Sequence, residues 1–201
     1  MITSASSVGT CVKLLNTQKL YTLGGLGSTD NSLDLAIDGA GFFQVLMPDG
    51  RMGYTRNGTF SRNGEGTLTS SSGYVLQPQI QIPEGVQEIN ISSDGIVSVL
   101  LPGEAIPQEA GQLALANFIN PRGLQAIGET FMVETPASGA PIEGLPRSAG
   151  FGKLNQGFLE GSNVNVVQQL VEMIETQRAY EVSSKSISGV DEMMRFLSNN
   201  L

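Results

Sequence analysis

Residues 33–50 read LDLAIDGAGFFQVLMPDG. Leu33, Leu35 and Ile37 stand at every second position, with Asp34 and Ala36 between them, which is the period of a half-buried β-strand. Phe42 to Met47 is a second apolar run. It stops at Pro48-Asp49-Gly50, where proline presets φ and glycine accepts a positive one. Working outward, the pattern recurs. Tyr54-Thr55-Arg56 runs into Asn57-Gly58, and Thr59-Phe60-Ser61 runs into Asn63-Gly64; both Asn-Gly pairs read as hairpin turns. Further strands are expected at Tyr74–Leu76, Ile80–Ile82, Glu88–Ile91, Ile96–Leu101, Leu113–Phe118 and Phe131–Glu134, with a tight turn at Asp94-Gly95. Many short strands with regular turns predict an irregular β-sandwich or barrel over residues 30–135, able to fold by itself. Its expected interior is Leu35, Ile37, Phe42, Val45, Phe60, Ile82, Val97, Leu115 and Phe118.

The flanking regions differ in kind. Residues 1–29 are polar, end in Gly24-Gly25-Leu26-Gly27, and read as an extended segment. Residues 136–152 are rich in Pro, Gly and Ser and read as a linker. Residues 153–201 open with a short strand, Leu154–Glu160, and then become helical. Asn165 is the expected N-cap, with Gln168 three positions on, as in a capping box. No proline follows. Val166, Leu170, Met173, Tyr180, Ile187, Val190, Met194, Leu197 and Leu201 recur at steps of three and four, with Gln177 and Ser184 as polar interruptions, forming one stripe along a helix. Glu181/Lys185 and Asp191/Arg195 place charges at i,i+4 on its exposed side. Ser183, Ser184, Ser186, Ser188 and Gly189 weaken it, or allow another helix close. The expected fold is therefore mainly β with a long C-terminal α-helix, an irregular β-sandwich or barrel domain carrying a helical stalk. A rod of about 33 residues, at ~1.5 Å each, is too long to lie wholly on a domain of ~13 Å radius of gyration. Another helix must cover its stripe.

Composition excludes much chemistry. The 201 residues include no His, no Trp and one Cys, Cys11. Histidine-based nucleophile systems and His metal sites are absent, and no intrachain disulfide can form. Asp30-Asn-Ser-Leu-Asp34 lacks the glycine and bidentate glutamate of a calcium loop. Gly39-Ala-Gly41 is followed by strand residues where a dinucleotide loop needs a helix. Asp34 and Asp38 are the remaining carboxylate pair, but sugar chemistry without any Trp is unexpected. No catalytic residue, cofactor or metal site is expected. A net charge of −8 does not suit a nucleic-acid binder. No segment approaches the ~20 apolar residues of a membrane span, and Lys13 and Lys19 interrupt any signal-peptide core. Export, if it occurs, is expected without a cleaved signal. Charge is uneven: residues 63–121 carry Glu65, Glu84, Glu88, Asp94, Glu104 and Glu109 without a cation, while Arg51, Arg56 and Arg62 precede them with no acid between. These are either solvated loops or complementary faces that meet between subunits.

Two stretches resemble a known family. LDLAIDGAGFFQV at 33–45, with Pro48-Asp-Gly50 and Tyr54-Thr-Arg-Asn-Gly58, is similar to the core motif of bacterial flagellar rod and hook proteins. LEGSNVNV at 159–166, with Met173-Ile174, Gln177-Arg-Ala-Tyr-Glu181, Ser184-Lys185 and Asp191-Glu-Met193, is similar to that family's C-terminal motif. Val8-Gly-Thr10, Thr17-Gln-Lys-Leu-Tyr21, Asn117 to Leu124, Glu134-Thr135 and Ser138-Gly139 look most like its distal-rod, G-type branch, with the proximal, F-type branch next. The resemblance implies a structural subunit that polymerises into a tubular drive shaft between motor and hook. It implies partners among copies of itself and other rod and hook subunits, and export by the flagellar type III apparatus into a periplasm-spanning rod. The family's N-terminal helix, with its Ser-Asn-Asn-Leu-Ala-Asn type motif, has no counterpart here, so truncation at that end is expected. A β-rich adhesin or binding module on a helical stalk is the alternative. It should show exposed aromatic patches or a disulfide.

Overall fold

A computed structural model describes residues 21–104, 106–128 and 130–199, with side chains to 195. Cys11, Lys13 and Lys19 lie outside the described residues. The chain divides after Gly161 into a β unit and a helical unit.

The first strands follow from the alternation at 33–50. β1 is Leu26–Ser28, β2 Leu35–Asp38, β3 Phe43–Leu46 and β4 Met52–Thr55. β3 and β4 form the hairpin announced by Pro48-Asp49-Gly50; Gly50 has φ +81° and its N–H donates to the carbonyl of Met47. β5 is Phe60–Arg62, β6 Leu68–Ser70 and β7 Val75–Gln77. β8 is Glu88–Ile91, β9 Ile96–Leu100 and β10 Gln108–Gln112. β11 is Leu115–Asn117, β12 Gln125–Gly128 and β13 Phe131–Val133. β14 is Ile142–Gly144, β15 Lys153–Gln156 and β16 Phe158–Glu160.

A seven-stranded sheet has the order β12-β13-β4-β3-β7-β6-β5, and a three-stranded sheet the order β10-β9-β8. The pairs β15-β2, β11-β14 and β1-β16 stand apart, and every pairing is antiparallel. The sheets stay open rather than closing into a barrel. All nine residues expected inside are buried, at 5% exposure or less. One cluster gathers Leu35, Ile37, Phe43, Val45, Phe60, Leu76, Ile82, Val97, Leu115 and Leu154; a second gathers Phe42, Tyr54, Ala116, Phe118 and Leu124. Edge-on aromatic contacts pin both clusters: Phe43 on Phe60 with centroids 5.0 Å apart, and Tyr54 on Phe118 at 4.8 Å.

Several expectations need correction. Asn57-Gly58 is not a hairpin turn, because β4 pairs with β3 and β13 while β5 pairs with β6. Asn57 Oδ1 instead accepts the N–H of Thr59, and Gly58 lies so close to β2 that an added Cβ would sit 1.6 Å from the carbonyl oxygen of Leu35. Glycine is there for close approach. At Asn63-Gly64 the hairpin is real but longer: Asn63 Oδ1 accepts from Glu65 and Thr67, and Gly66, not Gly64, takes the positive φ. Ile80–Ile82 makes one bridge, Thr67 to Gln81, and both isoleucines are buried without a strand.

The boundaries shift as well. The segment 136–152 carries β14 against β11, and Phe151 packs on the main core. The segment 153–160 adds β15 to β2 and buries Leu154 to 2% exposure. The extended segment 1–29 ends in β1, paired with β16. The β unit therefore extends beyond 30–135 on both sides, taking in β1 before it and β14 to β16 after it, because strands near its C-terminal end complete layers begun near its start. Leu154→Ala should lower the unfolding free energy of the β unit by about 2–5 kcal/mol, as for other buried leucines. Urea unfolding checks this by a lower midpoint at unchanged slope. An unmoved midpoint would return 153–160 to the stalk.

Candidate assembly surfaces

The helix α1 spans Val166–Asn199. Its start is built as the sequence requires: Asn165 Oδ1 accepts the N–H groups of Val167 and Gln168 at 3.1 and 3.3 Å. The return arm of a capping box does not form, since Gln168 Nε2 donates to Glu172 instead. In the second half three of the four serines at 183–188 bond to their own helix. Ser183, Ser186 and Ser188 donate to the carbonyls of Ala179, Val182 and Ser184, four residues back. They present no unpaired polar group to a neighbour and keep the helix surface low there.

Seven of the nine stripe residues have described side chains, and all seven are exposed: Val166, Leu170, Met173, Tyr180, Ile187, Val190 and Met194, between 49 and 76%; Leu201 lies outside the described residues. Leu197 lies on the helix with its side chain outside the described set. The sequence reading left out a second row. Val167, Val171, Ile174 and Val182 are exposed as well. At 100° per residue, Val167, Val171 and Ile174 flank Val166, Leu170 and Met173, so the first half carries a face about 160° wide rather than a narrow seam. The step pattern of three and four could have shown it, but was followed along one row only.

The three arginines do not form a charged strip. Arg51 pairs with Asp49 at 2.6 Å in the β3–β4 turn, and Arg62 Nη1 donates to the carbonyl of Pro83. The Arg51 N–H and then its guanidinium hold the Asp49 carboxyl below its usual range. Arg51 borders β4 and Arg62 ends β5, four strand spacings apart in the large sheet, or roughly 19 Å. Arg56 faces inward. Its Nε pairs with Glu160 Oε2 at 2.7 Å; Nη1 donates to the carbonyls of Gly39 and Gly41, and Nη2 to that of Ile37, at 2.9–3.1 Å. Its Cζ lies 5.9 Å from the centroid of the Phe42 ring. Arg56 therefore leaves the expected charge interface.

Glu160 extends this contact to the start of the described chain. Its second oxygen accepts the N–H of Gly24, and Gly161 N–H donates to the Gly25 carbonyl. Tyr21 sits edge-on to Phe42 and donates to the sulfur of Met132. Asp34 and Asp38, the one carboxylate pair worth testing, have structural partners: Asn31 Nδ2 at 3.0 Å and Lys153 Nζ at 3.2 Å. A recess lined by Met47, Tyr74, Ile127, Gly128 and Phe131 offers no convergent polar groups.

This arrangement defines a class: a β unit that pairs its first described strand, β1, with its last, β16, and a long helix showing an apolar face. The comparisons agree. Residues 36–99 match the family model for the flagellar hook protein FlgE/F/G D1 domain, and residues 155–201 match the flagellar basal body rod FlgEFG protein C-terminal model. The flagellar basal-body rod protein FlgG of Buchnera aphidicola subsp. Acyrthosiphon pisum is 49% identical over 195 residues, 97% of this chain and 75% of that protein. FlgG of Caulobacter vibrioides is 42% identical over 98% of this chain and 76% of its own. FlgF of Escherichia coli K12 is 34% identical over 85% and 69%. The chain belongs to the FlgE/F/G family of flagellar rod and hook proteins, in its FlgG, distal-rod branch.

Tyr54 gives the β unit a pH limit. Burial, with the charges of Glu134 and Glu143 adding, pushes its hydroxyl up to about 12. The unfolded chain releases that proton near ~10. Between those values the folded state holds more protons, so stability is full below pH ~10 and falls as pH rises through the folded value. Tyr54→Phe should flatten this alkaline fall, measured as melting temperature from pH 9 to 12. An equally steep fall in the variant would assign it to other groups.

Proposed function

We propose that the apolar face of α1 is the surface through which this distal-rod subunit polymerises, covered by helices of other copies of the chain. The observation that carries it is the exposure of Val166, Leu170, Met173, Tyr180, Ile187, Val190 and Met194 along one helix. Each such side chain is worth ~1.5–3 kcal/mol when fully buried. A row of them in water drives association. Leu197 continues the row. The step of three and four, slightly short of 3.6, favours a left-handed wrap of neighbouring helices.

On this reading the protein is non-enzymatic and works as a structural element of the flagellar basal body. Packed helices form the inner wall of a tube, the β units form its outer layer, and the tube carries torque from motor to hook. Other rod and hook subunits meet it at the tube's ends. Export through the flagellar type III apparatus, without a cleaved signal, would place the rod across the periplasm. The adhesin alternative loses its support. Six of the ten described aromatics of the β unit, Phe42, Phe43, Tyr54, Phe60, Phe118 and Phe131, are buried, and Phe158 alone of the ten is exposed, so no aromatic patch is displayed there.

Leu170→Ala with Met173→Ala in the full chain should raise the concentration needed for polymer at least about tenfold, given the apolar area removed from each contact. The melting temperature of the β unit should stay put. Sedimentation and electron microscopy read the first, calorimetry the second. In polymer, amides 166–197 should be the slowest-exchanging in the chain. Unchanged assembly by the double variant would remove this face from the interface.

A further inference from the structure

Two motifs far apart in the sequence, Tyr54-Thr-Arg-Asn-Gly58 and Leu159-Glu-Gly-Ser-Asn-Val164, meet in space through Arg56 and Glu160. We propose that Arg56 and Glu160 form a latch that holds the β1–β16 ribbon to the rest of the β unit, and that releasing it frees β1 and β16 without unfolding the rest. The proposal does not depend on the polymer assignment of α1.

The geometry supplies the argument. β1 and β16 pair only with each other: Leu26 opposes Glu160, Gly27 opposes Leu159 and Ser28 opposes Phe158. A two-stranded ribbon of three residues a side is not stable by itself, and Leu26 and Phe158 are each more than a third exposed, so little apolar burial holds it down. Polar links must do so. On one side Glu160 takes the Gly24 N–H on one carboxylate oxygen and Arg56 on the other. On the other side Arg56 gives three further donors to the carbonyls of Ile37 in β2 and of Gly39 and Gly41 in the turn to β3. The rigid guanidinium fork thus ties the ribbon to backbone that the core holds fixed. Arg56 and Glu160 side chains are 21% and 12% exposed, so water competes weakly. Gly161, bonded to Gly25, is the last residue before the helical unit. On the C-terminal side, the helical unit therefore starts directly after this latch.

Arg56 acts here as a positioning residue, and the test must separate release of the ribbon from loss of overall stability. Hydrogen exchange on the full chain, in dilute monomer, reads both. Arg56→Lys keeps the charge but cannot serve four acceptors at once. Glu160→Gln keeps an acceptor for Gly24 but loses the ion pair. In each, the amides of Thr29 and Gly161 should exchange at least about tenfold faster, the scale of a lost charge-assisted hydrogen bond. Amides in β3 and β4 should keep their rates. The double variant should be no faster than either single one. Unchanged Thr29 and Gly161 rates in both variants would overturn the latch. So would equal acceleration across β3 and β4, which would make the pair a part of global stability only.

Discussion

A chain that builds its core from strands of three to five residues leaves backbone groups at every strand end that no ladder pairs. Buried N–H and carbonyl groups must be satisfied all the same. In this molecule side chains meet that demand at the joints. Gln156 accepts the N–H of Ile91 and donates to the carbonyls of Ile89 and Ser32, tying β8 to the turn before β2. Thr135 donates to the carbonyl of Gly123, and Ser138 closes the following turn on Thr135. Arg56 satisfies three carbonyls in β2 and the turn to β3. Among the described residues no buried side-chain polar atom lacks a partner. The separate sheets are held in register by these polar joints as much as by the apolar clusters between them.

That constraint explains which parts of the fold were legible in the sequence. Alternation and apolar runs announced β2, β3, β4, β8 and β9, and all nine expected core residues are buried. The strands that escaped notice are polar or short. β10 reads Gln-Glu-Ala-Gly-Gln, and β12 and β14 each contain glycine. Their pairing is decided by the partner strand and by bulges such as that between Glu109 and Gly111, not by a local pattern. The linker reading of 136–152 failed for the same reason. Proline and glycine there shape turns around β14 rather than a free tether.

The site was legible in a different way. The helix and its N-cap follow from local rules, and so does the row from Val166 to Met194. Arg56 was misread because sequence spacing shows charge but not partner. Three arginines within 12 positions look like a strip until the strand order separates them. Glu160 carries no signal of its own. Only the topology, with β16 returning beside β1, brings it to Arg56 from 104 positions away.

The two ways of holding the chain together suit a structural subunit differently. Apolar burial of the kind proposed for α1 is non-directional and roughly proportional to area. It can assemble many identical helices without fixing each one's neighbour atom by atom. A guanidinium fork shared among four oxygens is directional, and it loses its geometry if either end shifts. The first kind of contact favours growth of a polymer, and the second favours a fixed relation between the β1–β16 ribbon and the rest of the β unit. A tube that turns without its subunits being pulled open needs both, and in this chain they lie on either side of Gly161. The proposed helix contacts and the Arg56–Glu160 pair are therefore separate, since the pair lies wholly within the β unit.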